Sequence, residues 1–326
     1  MGMAGWLALL GGVSAAATSL ALAYARRRNL VDQPGERRSH SVPTPRGGGI
    51  GIACALLAGS FIAWCVGMVP AVPVFCFAGG LILVAGIGWV DDHRSLSPLL
   101  RLVVQCLAGL VLAWGLYGVD GRWGWALLTA ALVPVLVNVW NFMDGIDGLA
   151  STQAILVALA FAWLAPATAY PAWALAVAAA GFLPFNFPRA RIFLGDVGSG
   201  TLGYALAALA GLGAAELPLP YALVLLLPLS AFLVDASLTL SARMLAGERW
   251  WQPHTTHLYQ RWVKVGRSHA FVTSIYAAFS LLAIMLACFL RGATPWLAGG
   301  GVALWLICAL FGWLHLRRRL IPGIGN

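Results

Sequence analysis

Charged residues are scarce in this 326-residue sequence. Asp, Glu, Lys and Arg make up only 10% of it, against roughly 25% in an ordinary soluble domain. Lysine occurs once, at Lys264, and the other basic residues are all arginines. A soluble globule of this length needs a far larger polar surface, so the composition excludes a cytosolic enzyme and a disordered chain.

Cysteine is also sparse, and its spacing indicates neither a metal site nor a disulfide framework. The six cysteines lie inside apolar runs, and no two of them have the C-x-x-C separation. A disulfide-stapled secreted domain is therefore excluded. The glycine-lysine loop of Walker A type is absent as well, so the chain is not a P-loop nucleotide hydrolase.

Long apolar runs are what the sequence has in abundance. Hydrophobic residues make up 61%, and the mean hydropathy is +0.85. The runs are continuous and do not alternate, which favours membrane-spanning helices of roughly 20 residues over the strands of a β-barrel. We therefore predict an all-α, polytopic integral membrane protein that forms a single membrane domain over 1–326. The eleven predicted spans are, approximately, 3–25, 48–68, 70–90, 99–119, 123–140, 148–165, 170–187, 197–214, 219–241, 270–290 and 296–315.

The basic residues indicate how these spans are oriented. With alternate loops assigned to two sides, eighteen basic residues fall on one side and only Arg122 and Arg291 on the other. Cytoplasmic loops of membrane proteins carry the excess of Lys and Arg. We therefore predict an N-terminus outside the cell and a C-terminus in the cytoplasm.

The acidic residues share the basic side, which topology alone does not require. Nine of the eleven fall there, and only Asp120 and Glu216 fall on the other side. Because Asp near a membrane is expensive, such a cluster predicts function. We expect the active face to consist of five cytoplasmic loops, which are 26–47, 91–98, 141–147, 188–196 and 242–268.

Two acidic motifs follow predicted spans. Asp91 and Asp92 are adjacent, and adjacent carboxylates repel unless a cation or a basic group lies between them. Four amide or carboxylate residues then recur at every third position: Asn138, Asn141, Asp144 and Asp147. Neighbours at this spacing share a helix face. The plain structural alternatives are a solvated acidic loop for the pair and a helix N-cap at Asp147.

A further acid, Asp196, lies in a glycine-rich stretch at the start of the predicted eighth span. It is either a helix cap or part of a site for a metal-bound phosphate. Asp and Asn supply hard oxygen ligands, which suit Mg²⁺ or Mn²⁺ better than zinc. Mg²⁺ usually takes one or two carboxylates and completes its shell with water and phosphate oxygens. The acids and the nearby arginines therefore predict metal-assisted phosphate chemistry.

Two histidines, His254 and His257, lie three residues apart in the 242–268 loop. A zinc pair is one interpretation, but no third soft ligand is close in sequence. Histidine facing a phosphate is favoured instead. The tryptophans around this motif are typical of headgroup depth, where Arg261 would lie near lipid phosphates.

In this order the motifs resemble those of the polyprenyl-phosphate N-acetylhexosamine-1-phosphate transferases, over about residues 30–267. The segments that carry the resemblance are 31–34 with 38–49, then 91–92, 141–149, 186–199 and 254–257. The resemblance implies a bacterial plasma-membrane enzyme with ten or eleven spans and a cytoplasmic active site. Such enzymes transfer a sugar-1-phosphate from a UDP-N-acetylhexosamine to undecaprenyl phosphate, release UMP and use Mg²⁺. The expected partners are these substrates and membrane lipids, without nucleic acid; the oligomeric state stays open, a homodimer being one option.

The resemblance also implies roles for single residues. The catalytic candidates are Asp91, Asp92, Asp144, Asp147 and His257. The substrate-binding candidates are Arg46, Asn141, Asn186, Phe193, His254 and Arg261. The metal-ligand candidates are Asp196 and Asp144. Among them, Phe193 is similar to the aromatic residue that stacks on uracil, and Asp92 is the first choice for a base.

The histidine motif departs from one branch of the family. Two threonines separate His254 from His257, whereas the branch that transfers phospho-MurNAc-pentapeptide in peptidoglycan synthesis has consecutive histidines. This favours the branch that initiates O-antigen, other lipopolysaccharide or capsule glycans, with the peptidoglycan branch as the alternative. A polytopic transporter of anionic substrates is the alternative from another class, although transporters place ionisable residues near the bilayer midplane. The CDP-alcohol phosphotransferases fit less well, because their Asp-Gly motif continues into Ala-Arg.

Overall fold

The computed structural model of the chain describes residues 2–33, 35, 42–249 and 254–320. Most of these residues are helical, and the strands among them form one two-stranded sheet. The predicted all-α fold class is confirmed. Of the predicted motifs, residues 34 and 38–41 lie outside the described residues, as do the tryptophans at 250 and 251.

The described chain contains thirteen α-helices. They are α1 (Met3–Arg27), α2 (Ile50–Cys65), α3 (Ala71–His93), α4 (Pro98–Ala113), α5 (Trp123–Met143), α6 (Leu149–Leu164), α7 (Ala169–Asn186), α8 (Gly195–Glu216), α9 (Tyr221–Val224), α10 (Leu226–Leu245), α11 (Leu258–Lys264), α12 (His269–Arg291) and α13 (Pro295–Arg319). A π-helical turn at Trp114–Gly118 continues α4, and a 3₁₀ turn at Pro166–Thr168 leads into α7.

Nine stretches of the described chain are helices long and apolar enough to cross a membrane. They are α1, α3, α4 with its π-helical turn, α5, α7 with its 3₁₀ turn, α8, α10, α12 and α13. Two further apolar helices, α2 and α6, have 16 residues each. At 1.5 Å per residue they are about 24 Å long, shorter than a hydrocarbon core of about 30 Å. The protein is therefore a multi-pass membrane protein, while the count of eleven spans and their orientation stay predictions.

The ninth predicted window is not a single helix. The short helix α9 ends at Val224, and α10 begins at Leu226. Pro228 has no N–H to donate to the carbonyl of Val224, four residues earlier, so a continuous helix over 219–241 would lose a hydrogen bond there. In the first turn of a new helix the same proline loses no hydrogen bond, because N–H groups there have no partner within the helix.

Helix α8 lies at the centre of the bundle, and glycines let its neighbours approach closely. Of its apolar window, 89% is buried. A Cβ atom on Gly203 would lie 2.5 Å from the Cα of Val137 in α5. A Cβ atom on Gly88 of α3 would lie 2.5 Å from the backbone oxygen of Asp196. Any larger residue would push these helices apart. Gly88 therefore allows the start of α8 to pack closely against the end of α3.

A small hairpin, which the sequence did not predict, orders part of the first loop. Strand β1 (Val31–Asp32) pairs antiparallel with β2 (Thr44–Pro45). The backbone N–H of Phe193 donates to the Pro45 carbonyl at 2.7 Å, and the N–H of Gly48 donates to the Phe193 carbonyl at 2.9 Å. The hairpin is thereby fixed to the segment that precedes α8.

Candidate active site

Asp92, in the last turn of α3, is a buried carboxylate that holds the start of α8. Its Oδ1 accepts a hydrogen bond from the N–H of Asp196 at 3.0 Å, and its Oδ2 accepts one from the N–H of Val197 at 3.2 Å. Only 2% of Asp92 is exposed. The first N–H groups of a helix have no partner within the helix, and they carry the positive end of its dipole. A carboxylate placed there joins the end of α3 to the beginning of α8.

Arg46 and Gly195 complete this contact. Arg46 Nη2 donates to the backbone carbonyl of Asp92, and Arg46 Nε lies 4.0 Å from Asp92 Oδ1. Gly195 has a φ of +75°, and a Cβ atom there would lie 2.5 Å from Asp92 Oδ2. Only glycine combines this backbone conformation with such a close carboxylate. The predicted substrate-binding residue Arg46 is therefore placed beside the acidic pair.

One arginine lies between two of the acids. Arg101 Nη1 donates to Asp91 Oδ2 at 2.9 Å and to Asp196 Oδ2 at 3.0 Å. The other oxygen of Asp196 accepts a hydrogen bond from Asn141 Nδ2 at 2.8 Å, and the same amide lies 3.2 Å from Ser199 Oγ. Side chains from α3, α4, α5 and α8 therefore meet around Asp196.

Arg101 is a site residue that sequence reasoning missed, because it was counted only as a marker of topology. A signal was present. Arg101 lies between Leu100 and Leu102, inside the predicted span 99–119. A charge inside an apolar run is costly unless it is paired, so its position alone pointed to an acidic partner.

Asp144, just past the end of α5, is a half-buried acid among other acids. None of the described residues donates a hydrogen bond to its carboxylate or forms an ion pair with it. Burial, together with the nearby carboxylates of Asp196, Asp92 and Asp147, raises the pKa of Asp144 well above its usual range. The ionised form of such a group is stabilised by a bound cation.

The donor set fits Mg²⁺ and does not fit a closed protein cage. Among the described residues, no three His, Cys, Asp or Glu side chains come together as a ligand group. Mg²⁺ needs only one or two carboxylates, because water and substrate phosphates fill its other positions. Asp144 and Asp196 supply hard oxygens, and Asp144 has no other cation beside it among the described side chains. Their role as metal ligands stays a prediction.

Asp147 and Asn186 hold the loop between α5 and α6. Asp147 Oδ2 accepts a hydrogen bond from the N–H of Ala190 at 3.2 Å and lies 3.3 Å from His269 Nδ1. Asn186 is buried, and its Oδ1 accepts from the N–H of Gly148 at 2.8 Å. Both predicted site residues thus fix backbone around the acids, and their catalytic and binding roles stay predictions. No motif signalled His269, which comes from the far end of the chain.

Phe193 lies in the segment before α8, with its ring half-buried. Its backbone is fixed by the hairpin, while Asp196, three residues later, begins the acidic cluster. The spacing therefore places an aromatic ring and a candidate metal ligand on one short segment. That the ring stacks on uracil stays a prediction.

The two histidines of the 242–268 loop are close together, and burial disfavours the charged form of both. Their ring centroids are 4.8 Å apart. Burial, with His257 and Arg243 nearby, lowers the pKa of His254 to about 4. Burial also lowers the pKa of His257, whose ring lies 6.1 Å from that of Phe142 and 5.9 Å from that of Tyr259. Neutral imidazoles can donate one hydrogen bond and accept another.

Tyr259 connects this histidine segment to the acids. Its hydroxyl donates to the backbone carbonyl of Phe142, in the last turn of α5, at 3.0 Å. Arg261, two residues further on, donates from Nε to the carbonyl of Thr256 at 3.1 Å. This hydrogen bond joins helix α11 to the histidine segment that precedes it. The structure therefore brings the predicted acids and both histidines to the same end of the bundle. The two predicted substrate-binding arginines, Arg46 and Arg261, lie at that end as well.

Comparisons with known proteins point to the same region. Residues 74–214 match the family described as glycosyl transferase family 4. A decaprenyl-phosphate N-acetylglucosaminephosphotransferase of Mycobacterium leprae is 33% identical over 301 residues, which cover 78% of this chain and 75% of that protein. A probable undecaprenyl-phosphate N-acetylglucosaminyl 1-phosphate transferase of Bacillus subtilis is 27% identical and covers 82% of this chain and 79% of that protein. A phospho-N-acetylmuramoyl-pentapeptide-transferase of Heliobacterium modesticaldum is 37% identical over 170 residues, 43% of this chain and 53% of that protein.

A bundle of apolar helices with acids gathered at one end is compatible with a membrane-embedded transferase, and the relatives are such transferases. The chain belongs to glycosyl transferase family 4, and within it to the polyprenyl-phosphate N-acetylhexosamine-1-phosphate transferases that its motifs resemble. The matched segment 74–214 contains the five candidate site acids, which are Asp91, Asp92, Asp144, Asp147 and Asp196.

Proposed function

We propose that the protein transfers N-acetylglucosamine-1-phosphate from UDP-N-acetylglucosamine to a polyprenyl phosphate and releases UMP. The observation that carries the proposal is the cluster of Asp91, Asp92, Asp144 and Asp196 where α3, α5 and α8 meet. The choice of sugar and lipid is supported by the names of the Mycobacterium leprae and Bacillus subtilis relatives.

In this reaction an oxygen of the polyprenyl phosphate attacks the phosphorus that carries the sugar. The bond from that phosphorus to the bridging oxygen breaks, and its electron pair leaves with UMP. The bond between the sugar and its phosphate is kept, so the product is a polyprenyl diphosphate sugar. Because the second pKa of a phosphate monoester is about 6, the acceptor is mostly dianionic at pH 7. The site therefore has to bring two anions together more than it has to remove a proton.

Several groups of the chain suit this task. Arg46 and Arg101 are the cations beside the acidic cluster. Mg²⁺ or Mn²⁺ held by Asp144 and Asp196 would supply charge neutralisation at the diphosphate. Asp92 keeps Asp196 in place through the first turn of α8. A base role for Asp92, which we predict from the resemblance, would use a lone pair that its two amide hydrogen bonds leave open.

The uridine end of the donor is assigned to Phe193. Its half-buried ring precedes Asp196 by three residues, which is short enough for one UDP-sugar to contact both. The neutral histidines His254 and His257 are assigned to the phosphates or the sugar, as hydrogen-bond partners without charge. Asn141 orients the Asp196 carboxylate through its amide.

We place the site at the cytoplasmic face of the bacterial plasma membrane, because eighteen basic residues share its side in the predicted topology. Initiation of an O-antigen or another surface glycan is the predicted biological use. A strain that lacks the protein would then lose that glycan, and unchanged surface glycans would contradict this part of the proposal.

A second candidate is transfer of phospho-N-acetylmuramoyl-pentapeptide, which the Heliobacterium modesticaldum relative favours over less than half of the chain. Purified protein incubated with polyprenyl phosphate and a panel of labelled UDP-sugars separates the two. We expect lipid-linked product from UDP-N-acetylglucosamine and none from UDP-MurNAc-pentapeptide. Product from the pentapeptide substrate alone would reverse the assignment.

A further inference from the structure

We propose that Asp235 is the positioning residue of the histidine loop, residues 254–257, and that it acts on the transfer reaction through His257 without touching substrate. The inference rests on the proposed function. Asp235 lies in α10 and is 2% exposed. The sequence offered it only as one of nine acids on the basic side.

The Asp235 carboxylate is a hub for four helices. It accepts hydrogen bonds from the hydroxyls of Thr239 and Tyr276, the backbone N–H groups of Leu258 and Tyr259, and the indole N–H of Trp313, at 3.1, 2.6, 2.9, 3.4 and 3.1 Å. These donors belong to α10, α12, α11 and α13. A carboxylate offers about four lone-pair sites, so this one is filled by neutral donors. An amide in its place would offer one oxygen and would turn an N–H group towards other donors.

His257 lies against this hub. Its Nδ1 atom lies 3.9 Å from Asp235 Oδ1 and has no hydrogen-bond partner among the described residues. That distance is too long for a hydrogen bond, but it places the Asp235 carboxylate beside Nδ1, within ion-pair range. A carboxylate on that side of the ring favours the tautomer with the proton on Nδ1 and leaves Nε2 as an acceptor.

The same carboxylate connects the histidine loop to the acids. It binds the N–H of Tyr259, and the Tyr259 hydroxyl donates to the Phe142 carbonyl at the end of α5. Gly145 leaves room for that hydroxyl, because a Cβ atom there would lie 2.2 Å from it. Asp235 therefore determines where the histidine loop lies relative to the segment that carries Asp144.

The test has one arm without substrate and one arm with it. In Asp235→Asn, we expect faster hydrogen–deuterium exchange in the peptide 254–264 and at least a tenfold loss of kcat/KM with UDP-N-acetylglucosamine. In a His257→Ala background, adding Asp235→Asn should change kcat/KM by less than twofold, because the route through His257 is already lost. Ser280→Ala is the matched control, since Ser280 is a buried α12 side chain whose hydroxyl binds Gln153 instead. It should leave both readouts unchanged.

Milder variants keep the proposal testable if Asp235→Asn does not fold. Tyr276→Phe and Trp313→Phe each remove one donor and keep the carboxylate, so they should give smaller losses that also disappear in the His257→Ala background. Equal losses in both backgrounds, or unchanged exchange in 254–264, would overturn the proposal. Since the exchange arm uses no substrate, it decides the loop contact even if the wild-type protein does not use UDP-N-acetylglucosamine.

Discussion

Arg101 Nη1 lies 2.9 Å from Asp91 Oδ2 and 3.0 Å from Asp196 Oδ2, so one guanidinium joins the end of α3 to the start of α8. Two carboxylates this close repel each other in a partly buried site. Arg101 offsets the repulsion and still leaves Asp144 without a cation among the described side chains. Arg101 therefore stabilises Asp91 and Asp196 in the folded protein, while the negative charge of Asp144 is not balanced by a described side chain.

Removing this cation should destabilise the protein. Breaking a fully buried ion pair costs about 3–5 kcal/mol, and Arg101 is 30% exposed. We therefore expect Arg101→Met to lower the free energy of unfolding by about 1–3 kcal/mol, measured by thermal unfolding in detergent. Arg94→Met is the control, because Arg94 is exposed and close in sequence. Equal destabilisation by both substitutions would contradict the role given to Arg101.

The contact between Gly195 and Asp92 gives a second prediction. Gly195 and Gly247 both have positive φ, but only at Gly195 would a Cβ atom meet another group. Each change to alanine costs roughly 1–2 kcal/mol for the left-handed backbone. Gly195→Ala should cost about 1–3 kcal/mol more, since overpacking adds that much, and it should also lower activity by displacing Asp196. Similar unfolding curves for Gly195→Ala and Gly247→Ala would show that the Asp92 contact is unimportant.

Binding and chemistry should separate at Phe193 and Asp196. Stacking of a base on an aromatic ring is worth roughly 1–3 kcal/mol. Phe193→Leu keeps bulk but loses the ring, so we expect KM for every UDP-sugar to rise roughly 5- to 150-fold with kcat largely kept. Asp196→Asn should instead collapse kcat while folded protein is still recovered. Near-normal turnover of Asp196→Asn, or a lower kcat with unchanged KM in Phe193→Leu, would refute these roles.

The low pKa of His254 predicts how stability depends on pH. Burial, the adjacent His257 and Arg243 lower the pKa of His254 from 6.5 to about 4. Because the unfolded state takes up the proton first, the stabilisation from His254 is complete above pH 6.5 and is lost as the pH falls towards 4. The melting temperature of His254→Gln should therefore fall less than that of the wild type on acidification from pH 7.5 to pH 5. His315→Gln, at an exposed position, is the control, and its melting temperature should fall as much as that of the wild type. An equal fall in His254→Gln would contradict the explanation.

The sequence predicted where the helices lie, but it did not predict the break between α9 and α10. Ten of the eleven apolar windows each correspond to one helical segment and the ninth to two, because the length of an apolar run reflects the thickness of the membrane. The break before α10 was missed, since a proline interrupts a helix or begins one according to where the preceding turn ends.

For the candidate site, residue type and spacing pointed to acids that the structure brings together, whereas most of the groups that bind these acids were not predicted. Asn138 belongs to the three-residue series but binds Gln105 at 2.6 Å, while Asn141 binds Asp196. A three-residue repeat drifts around a helix with 3.6 residues per turn, so it does not state which members converge. Arg101 and Asp235 acquire their partners through packing between distant segments, which no local pattern records.

The most direct test of the central claim is exchange of labelled UMP into UDP-N-acetylglucosamine by the purified protein. Transfer to a polyprenyl phosphate is reversible at the phosphorus, so exchange should occur only when the lipid phosphate is present. It should stop on addition of EDTA, return with Mg²⁺, and be absent in Asp196→Asn. Exchange that continues without polyprenyl phosphate, or with the divalent metal fully removed, would contradict the proposed reaction.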